Sequence, residues 1–439
     1  MCYNVVEKTA ASHSAITASD FSDGMEINMS VLVGNAVVGQ SGGPTAAINA
    51  TLAGVIRGAM SARDAGVIET LYGMRNGIEG FLSERLVDLF SFFDTEEKIK
   101  LLESTPAAAL GSCRRKLKDH DKDAETYAKL LEIFKKYNIR YFFYIGGNDS
   151  MDTVLKLSRY AADNDYEMRV VGVPKTIDND LVVTDHTPGF GSAAKFIAAT
   201  TKEILRDVEV YDIPAVTIVE IMGRDAGWLT AASSLAGITD GIGPDLIYLP
   251  ERAFDMDAFL ADVKARLATH PAVLVCVSEG IRTADGEYVG AKGGALDAFG
   301  HKQLSGAAKV LEGFVKSEIG CKVRSIELNL PQRCAAHIAS LTDITESVMV
   351  GRTAVSAATE GKTAVMMTIN RVSDAPYAVE VGTADIAGIA NGVRAVPEEY
   401  INVDGNYVTE ACVDYLKPLI VGEAPSTFEA GIPTHIIIR

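Results

Sequence analysis

The sequence is short of basic residues, and this shortage disfavours one class of partner. It has 41 lysine and arginine residues against 58 aspartate and glutamate residues, which gives a formal net charge of −17. Proteins bind nucleic acids and anionic membrane surfaces through clustered positive charge. We therefore expect neither as a partner, and any phosphate site in this chain must gather its cations locally.

Long apolar runs and closely spaced cysteine pairs are also missing. No stretch reaches the length of about 18 apolar residues that suggests a membrane-spanning helix. Residues 1–30 lack the basic start and apolar centre of a secretory signal, so we expect a loose extension in which Met25 or Met29 could be the native start. None of the six cysteines forms a CxxC pair, which favours reduced thiols in a cytoplasmic protein.

Strand-like and helix-like segments alternate along most of the 439 residues, a length that suits two or three domains of about 150 residues. Short apolar runs predict buried strands at 31–40, 141–145, 170–174, 215–221, 245–250, 272–278, 323–328 and 363–369. Helical spacing of apolar residues predicts helices between several of them, as at 124–137, 255–268 and 303–319. This alternation indicates an α/β fold with parallel-rich sheets, in which ligands bind beyond the carboxyl ends of the strands.

Four segments rich in glycine or charge follow predicted strands. GQSGGPTAAIN at 39–49 and GGNDSMD at 146–152 have glycines that let backbone N–H groups approach an anion. PKTIDND at 174–180 places two aspartates two residues apart, which suits a general base and its partner. EIMGRDAGWLTAAS at 220–233 offers an arginine for forked phosphate contacts. Taken singly, each segment also suits a bland role: a tight turn, a helix cap, an Asx-rich turn or a surface ion pair.

Together and in this order, these segments resemble the phosphofructokinase family. GSCR at 111–114, VSEG at 277–280 and PQR at 331–333 extend the resemblance across roughly residues 31–360. It implies two Rossmann-like three-layer α/β/α domains with the active site in the cleft between them. The implied phosphoryl-donor domain takes residues 31–190 plus about 337–400, and the sugar-phosphate domain takes about 191–336. Residues 401–439 stay unassigned.

Two positions separate the donor classes within that family. ATP-using members carry glycine where this chain has Asp149 and Lys175, whereas pyrophosphate-using members carry aspartate and lysine. A carboxylate at 149 would fill the space of the α-phosphate of ATP and repel it, by roughly 4 kcal/mol for charges about 4 Å apart at a dielectric near 20. Lys175 would supply a cation to the smaller donor. The resemblance thus implies reversible phosphoryl transfer from pyrophosphate to the 1-hydroxyl of fructose 6-phosphate, with Mg²⁺ as cofactor.

The resemblance also assigns roles to individual residues. Asp178 would be the general base, and Lys175, Arg224 and Asp149 would complete the catalytic set. The contacts to the sugar phosphate would come from Thr176, Ile177, Asp178, Met222, Gly223, Arg224, Glu279, Arg324, Leu330 and Arg333. The contacts to pyrophosphate would come from Gly42, Gly43, Arg114, Gly147, Ser150 and Lys175. The metal ion would lie at Asn148 and Asp149.

Three residues depart from the family pattern. Asn148 stands where most members have a metal-associated aspartate, and an amide binds Mg²⁺ weakly. Leu330 stands where a tyrosine or histidine usually contacts the sugar phosphate, a contact that His337 could replace. Ala215 stands where many bacterial ATP-using members have an arginine that reaches a neighbouring subunit. A homodimer and a homotetramer therefore both stay open.

Three other functions fit parts of the sequence. An ATP-dependent phosphofructokinase is disfavoured by Asp149 and Lys175. A catalytically silent regulatory subunit is disfavoured by the retained Asp178, Arg224 and Glu279, although Asn148 and Leu330 leave it open. A dinucleotide-binding oxidoreductase would need a GxGxxG turn followed by a ribose-binding acidic residue, which this sequence lacks.

Overall fold

The computed structural model describes residues 31–210, 212–290, 306–389 and 392–438. The predicted extension at 1–30 lies outside these ranges. From Leu32 onward the chain forms one compact unit. Within the described ranges, no helix combines the length and the apolar character that crossing a membrane would require.

The strands and helices follow one another in chain order along the described residues. The strands are β1 (Gly34–Gln40), β2 (Ile68–Met74), β3 (Leu86–Asp88), β4 (Ile139–Gly146), β5 (Arg169–Pro174), β6 (Ala215–Ile221), β7 (Leu246–Tyr248), β8 (Ala272–Ser278), β9 (Lys322–Glu327), β10 (Val365–Asp374), β11 (Tyr377–Asp385), β12 (Phe428–Glu429) and β13 (Ile432–Pro433). The helices are α1 (Ile48–Asp64), α2 (Gly77–Leu82), α3 (Leu89–Phe92), α4 (Glu96–Glu103), α5 (Ala124–Lys136), α6 (Asn148–Asp163), α7 (Phe190–Val208), α8 (Trp228–Ala231), α9 (Met256–Leu267), α10 (Ala307–Ile319), α11 (Pro331–Cys334), α12 (Leu341–Thr359) and α13 (Glu410–Leu416).

The first sheet has seven strands in the order β11-β10-β5-β4-β1-β2-β3. The five strands from β10 to β2 are parallel, and only the two edge strands, β3 and β11, run antiparallel to their neighbours. Alternate residues of the central strand β4 enter different cores, because successive side chains of a strand point to opposite faces. Tyr141 and Phe143 join the core that contains residues of α1 and α12, and Phe142 and Tyr144 join the core that contains residues of α5 and α6. The sheet is therefore the middle of three layers.

The second sheet has four parallel strands in the order β7-β8-β6-β9. On β6, Val219 and Ile221 enter a core shared with α7 and α13, whereas Val216 and Ile218 enter a core shared with α9 and α10. Helices therefore cover both faces of this sheet as well. The predicted fold class, two parallel-rich sheets each between layers of helices, is confirmed. The exact domain boundaries stay a prediction.

Candidate active site

The loops after β1, β4 and β5 meet at one edge of the first sheet. These three strands are neighbours and parallel, so their carboxyl ends lie side by side. Two backbone hydrogen bonds join the loops: the Ser41 N–H donates to Ile145 O at 2.9 Å, and the Lys175 N–H donates to Gly146 O at 3.0 Å. Three of the segments singled out in the sequence thus form one surface, called the donor edge below.

The GSCR segment also joins the donor edge. The Gly42 N–H donates to Cys113 O at 3.2 Å, and the Ser112 hydroxyl donates back to Gly42 O at 2.7 Å. Gly42 has φ = +75°, a backbone conformation that favours glycine. The double contact places Arg114 directly after the segment that holds the SGG turn.

Lys175 lies at the centre of a cluster of cations. Its side chain is 2% exposed, and Nζ donates to Gly43 O at 2.6 Å. Burial is the main cause that lowers the pKa of Lys175 to about 8; Arg333 and Arg114 lower it further, while Asp178 raises it. Burial and then Arg114 also lower the pKa of Arg333. These cations therefore form a site that suits an anion of high charge density. The cation cluster, as it is called below, consists of Lys175, Arg114 and Arg333.

The cation cluster includes a residue that the sequence assigned to the sugar phosphate. A Cβ atom on Gly43 would lie 3.2 Å from Arg333 Nη1, which places this guanidinium beside the SGG turn. Arg333 thus lies closer to the predicted pyrophosphate site than its assignment implied.

The carboxylates of the PKTIDND loop lie next to these cations. The Asp178 N–H donates to Thr176 Oγ1 at 3.1 Å, which turns the loop back on itself. Burial raises the pKa of Asp178, and the charges of Lys175 and Arg224 oppose that rise. Burial, and next the charge of Asp178, raise the pKa of Asp180 to about 7. The loop therefore holds two carboxyl groups close to each other, one of which faces two cations.

Asn148 and Asp149 begin helix α6 and differ in their contacts. Asn148 Nδ2 lies 3.4 Å from Asp180 Oδ2, while its Oδ1 is buried and has no hydrogen-bond partner among the described residues. Asp149 Oδ1 forms an ion pair with Lys116 Nζ at 2.9 Å. The sequence reasoning treated Asp149 as a bare carboxylate and missed Lys116. The signal was the run of cations RRK at 114–116, which begins with the arginine of GSCR.

The loops after β6 and β8 carry the groups on the second sheet. These strands are also parallel neighbours, and the Gly223 N–H donates to Glu279 Oε1 at 3.3 Å. Burial, followed by the charge of Asp178, raises the pKa of Glu279 to about 7, and Arg224 opposes that rise. Asp178 is therefore electrostatically coupled to both Arg224 and Glu279, which places the two sheets' loops on either side of one cleft.

Other assigned residues support the cleft or lie away from it. The Met222 N–H donates to Gln332 Oε1 at 3.2 Å, which ties the MGR loop to the PQR turn. Ile177 and Ser150 are buried, at 7% and 2% exposure, and Gly147 immediately precedes α6.

Two of the assigned sugar contacts are not brought into the cluster. Arg324 is exposed in the middle of β9 and pairs with Asp207, at the far end of α7, at 3.6 Å. Leu330 is 56% exposed and precedes the short helix that carries Arg333. His337, suggested as a replacement for a lost contact, is also exposed.

The arrangement has the parts that phosphoryl transfer requires: a positive cluster around the buried Lys175 at a glycine turn, a carboxylate suited to act as a base and an opposing arginine. Within the described residues, no set of three or more histidine, cysteine, aspartate or glutamate side chains is arranged to hold a metal ion.

Comparison with known proteins agrees with this chemistry. Residues 35–358 match the phosphofructokinase family. A pyrophosphate–fructose 6-phosphate 1-phosphotransferase from Xanthomonas campestris pv. campestris is 45% identical over 92% of this chain and 96% of that protein. The protein of the same name from Halomonas elongata is 43% identical over 91% of this chain and 94% of its own. The crystal structure of a pyrophosphate-dependent phosphofructokinase from Nitrosospira multiformis has a TM-score of 0.83 and 40% identity, covering 92% of this chain and 95% of that one. This chain therefore belongs to the phosphofructokinase family.

Proposed function

We propose that this protein transfers the terminal phosphoryl group of pyrophosphate to the 1-hydroxyl of fructose 6-phosphate, and that the reaction is reversible. One observation carries the choice of donor: Lys175 and Asp149 both lie on the donor edge, where ATP-using members have glycine. Lys175 Nζ is bonded to Gly43 O, and Asp149 is held by Lys116. The relatives named as pyrophosphate-dependent phosphotransferases support the same donor.

The donor binds at the donor edge. The N–H of Gly42 is used by Cys113 O, so Gly43 and Gly147 are the glycines whose backbone N–H groups would meet phosphate oxygens. The amino end of α6 adds its partial positive charge. The cation cluster neutralises the charge of the donor and so supplies binding energy that ATP would gain in part from its adenosine. Ser150, in the first turn of α6, completes the predicted donor contacts.

The acceptor enters from the side of the second sheet. Asp178 takes the proton of the 1-hydroxyl while that oxygen forms a bond to the terminal phosphorus, and the bridging P–O bond breaks to release phosphate. Arg224 and Lys175 stabilise the charge on the transferring group, where electrostatic stabilisation does most of the catalysis. Glu279 accepts hydrogen bonds from sugar hydroxyls. The frame of the sugar is completed by Thr176, Ile177, Met222 and Gly223. Of the predicted contacts to its phosphate, Arg333 is the one that lies at the cleft, whereas Arg324 and Leu330 lie away from it.

A magnesium ion fits the amino end of α6. The unpartnered Asn148 Oδ1 and the carboxylate of Asp180 are oxygen atoms, the ligand type that Mg²⁺ prefers, and this ion commonly keeps several waters. Asp149, the other predicted ligand, is engaged by Lys116, so Asp180 is the better candidate. When bound, the ion would neutralise phosphate oxygens of the donor. The homo-oligomer and the cytoplasmic location stay predictions.

One assay tests this function and its alternatives. Purified protein receives fructose 6-phosphate and Mg²⁺ with either pyrophosphate or ATP, and fructose 1,6-bisphosphate is measured. We expect product with pyrophosphate, and a fall in kcat of about 10²- to 10⁴-fold for Asp178→Asn, which removes the base. Product with ATP alone would assign the ATP-dependent function instead. Product with neither donor would favour a catalytically silent subunit.

A further inference from the structure

Asn179 separates the two carboxylates of the PKTIDND loop and has an unusual backbone. It is fully buried and has φ = +54°, a left-handed conformation that asparagine adopts more readily than most residues other than glycine. Its Oδ1 accepts from the Thr187 N–H at 3.1 Å, and its Nδ2 donates to Tyr415 Oη at 3.2 Å. Because Asn179 links Asp178 to Asp180, its conformation sets the direction of both carboxylates.

The partner of Asn179 comes from the opposite end of the chain. Tyr415 belongs to α13, and its hydroxyl donates to Asp185 O at 2.8 Å. The guanidinium of Arg394 donates to the same hydroxyl at 3.3 and 3.4 Å, while the backbone N–H of Arg394 donates to Asp180 O at 2.8 Å. The hydroxyl of Tyr415 therefore uses its one donor and both acceptor positions. Its three partners are Asn179, Asp185 and Arg394, and each either lies in or next to the PKTIDND loop or braces it.

The ring of Tyr415 reaches the second sheet's loop. It packs against Trp228 with ring centroids 5.2 Å apart, and the guanidinium carbon of Arg371 lies over the Tyr415 ring at 4.5 Å from its centroid. Trp228 is fully buried and follows Arg224 by four residues. One side chain thus contacts the loop that holds the base and the short helix that follows the arginine loop.

We propose that Tyr415 is a positioning residue for phosphoryl transfer, which acts through Asn179 to aim Asp178 at the acceptor hydroxyl. The inference rests on the proposed function. It assigns a role in the reaction to the C-terminal segment, which the sequence motifs left unassigned. A ring that only filled space would need no hydroxyl, whereas here the hydroxyl makes the contacts to the loop.

The variant Tyr415→Phe keeps the ring and removes the hydroxyl. We expect kcat to fall about tenfold or more while KM for both substrates changes by less than about threefold, because misaligned groups slow the chemical step more than they weaken binding. Tyr400→Phe is the matched control, since its ring lies 5.7 Å from that of Tyr415 and its hydroxyl has no hydrogen bond to the described residues. It should change kcat by less than about twofold.

Hydrogen–deuterium exchange of the amides at 176–187, without substrates, gives a second readout. We expect faster exchange in Tyr415→Phe than in the wild type or in Tyr400→Phe. Wild-type kcat together with wild-type exchange in Tyr415→Phe would overturn the proposal.

Two further results keep the proposal separate from folding and from the proposed function. If Tyr415→Phe fails to fold, Asn179→Gly replaces it, because glycine accepts the backbone conformation and loses only the side-chain bonds. It should then show the same loss of kcat, and unchanged kcat would overturn the proposal. If the wild type transfers nothing from pyrophosphate, the proposed function fails, while the exchange comparison still decides whether Tyr415 holds the loop.

Discussion

We expect Asp149 to select the donor through the space it fills as well as through its charge. Its carboxylate pairs with Lys116 at 2.9 Å, and the two side chains are 36% and 49% exposed. A paired charge that is partly open to solvent repels a phosphate less than a bare buried one, because its partner and the solvent screen it. We expect the pair nevertheless to occupy the space beside α6 that a longer donor would need.

We expect Asp149→Gly to raise kcat/KM for ATP by about tenfold or more, because it removes both the obstruction and the negative charge. Lys116→Ala is the informative companion, since it keeps the carboxylate and removes its partner. In Lys116→Ala, kcat/KM for ATP should stay low. It should fall further if the charge of Asp149, rather than the space it fills, dominates the exclusion of ATP. Steady-state kinetics with both donors decide this. Unchanged ATP use in Asp149→Gly would place donor selection elsewhere in the cleft.

Lys175 is expected to give the reaction an alkaline limit. Burial lowers its pKa to about 8, so the free enzyme carries this charge below that pH and loses it above. The value of kcat/KM for pyrophosphate reports on the free enzyme and should fall as the pH rises through about 8.

The limit can be assigned with one variant and one control. Lys175→Arg stays charged throughout this range, so the fall near pH 8 should disappear even if overall activity is lower. Lys195→Arg alters another buried lysine, whose Nζ donates to Gly422 O at 2.6 Å, and it should keep the wild-type profile. The same fall in Lys175→Arg would assign the limit to another group.

At the scale of elements, the donor edge depends on a close contact between α1 and α12. A Cβ atom on Gly351 would lie 2.1 Å from the backbone oxygen of Thr51, and one on Gly54 would lie 2.2 Å from that of Val348. The two helix backbones therefore approach through glycine on both sides. Because α1 begins only five residues after Gly43 of the SGG turn, this contact also helps to hold the start of the donor site in place.

We expect Gly351→Ala to lower the free energy of unfolding by about 1–3 kcal/mol, because the added methyl group must force the helices apart. Gly313→Ala is the matched control on α10, where a Cβ atom would meet nothing within 4 Å. There alanine's better helix propensity should raise stability by up to about 1 kcal/mol. Thermal unfolding of both variants measures the difference. Equal shifts in Tm would mean that the helices separate without cost.

The elements that the sequence predicted best are those buried on both faces. The runs at 215–221 and 272–278 match β6 and β8 residue for residue, because a central parallel strand is buried on both faces and apolar over most of its length. The antiparallel edge strands β3 and β11 were missed. Tyr377–Asp385 is half-exposed along most of its length, and Leu86–Asp88 is only three residues long, so neither has a continuous apolar run.

The residues of the candidate site likewise divide into those that the sequence could place and those that it could not. Residues within a motif, such as Lys175 and Asp178, could be placed from the sequence because a short segment fixes their separation. Lys116 and Tyr415 could not, since they meet Asp149 and Asn179 through contacts that join distant parts of the chain. Arg324 lies in a segment that matches the family, yet it points to a partner outside the cleft.

At the scale of the whole molecule, the C-terminal segment connects the cores of the two sheets. Leu416 is fully buried in a core of the second sheet, and Ile438, 22 residues later, is 5% exposed in a core of the first. The Asn179–Tyr415 hydrogen bond adds a polar link between the same segment and the PKTIDND loop. Neither core is complete without this segment.

We therefore expect residues from Leu32 onward to unfold in one cooperative calorimetric transition. Leu416→Ala and Ile438→Ala form a matched pair, since each removes a buried side chain at a cost of about 2–5 kcal/mol, but from different cores. Both should lower the Tm of the same transition, because loss of either core releases the segment that completes the other. Two transitions, with one moved by Leu416→Ala and the other by Ile438→Ala, would contradict this coupling. The cleft between the sheets would then be held by its loops alone, and substrates rather than the C-terminal segment would have to bring Asp178 and Arg224 together.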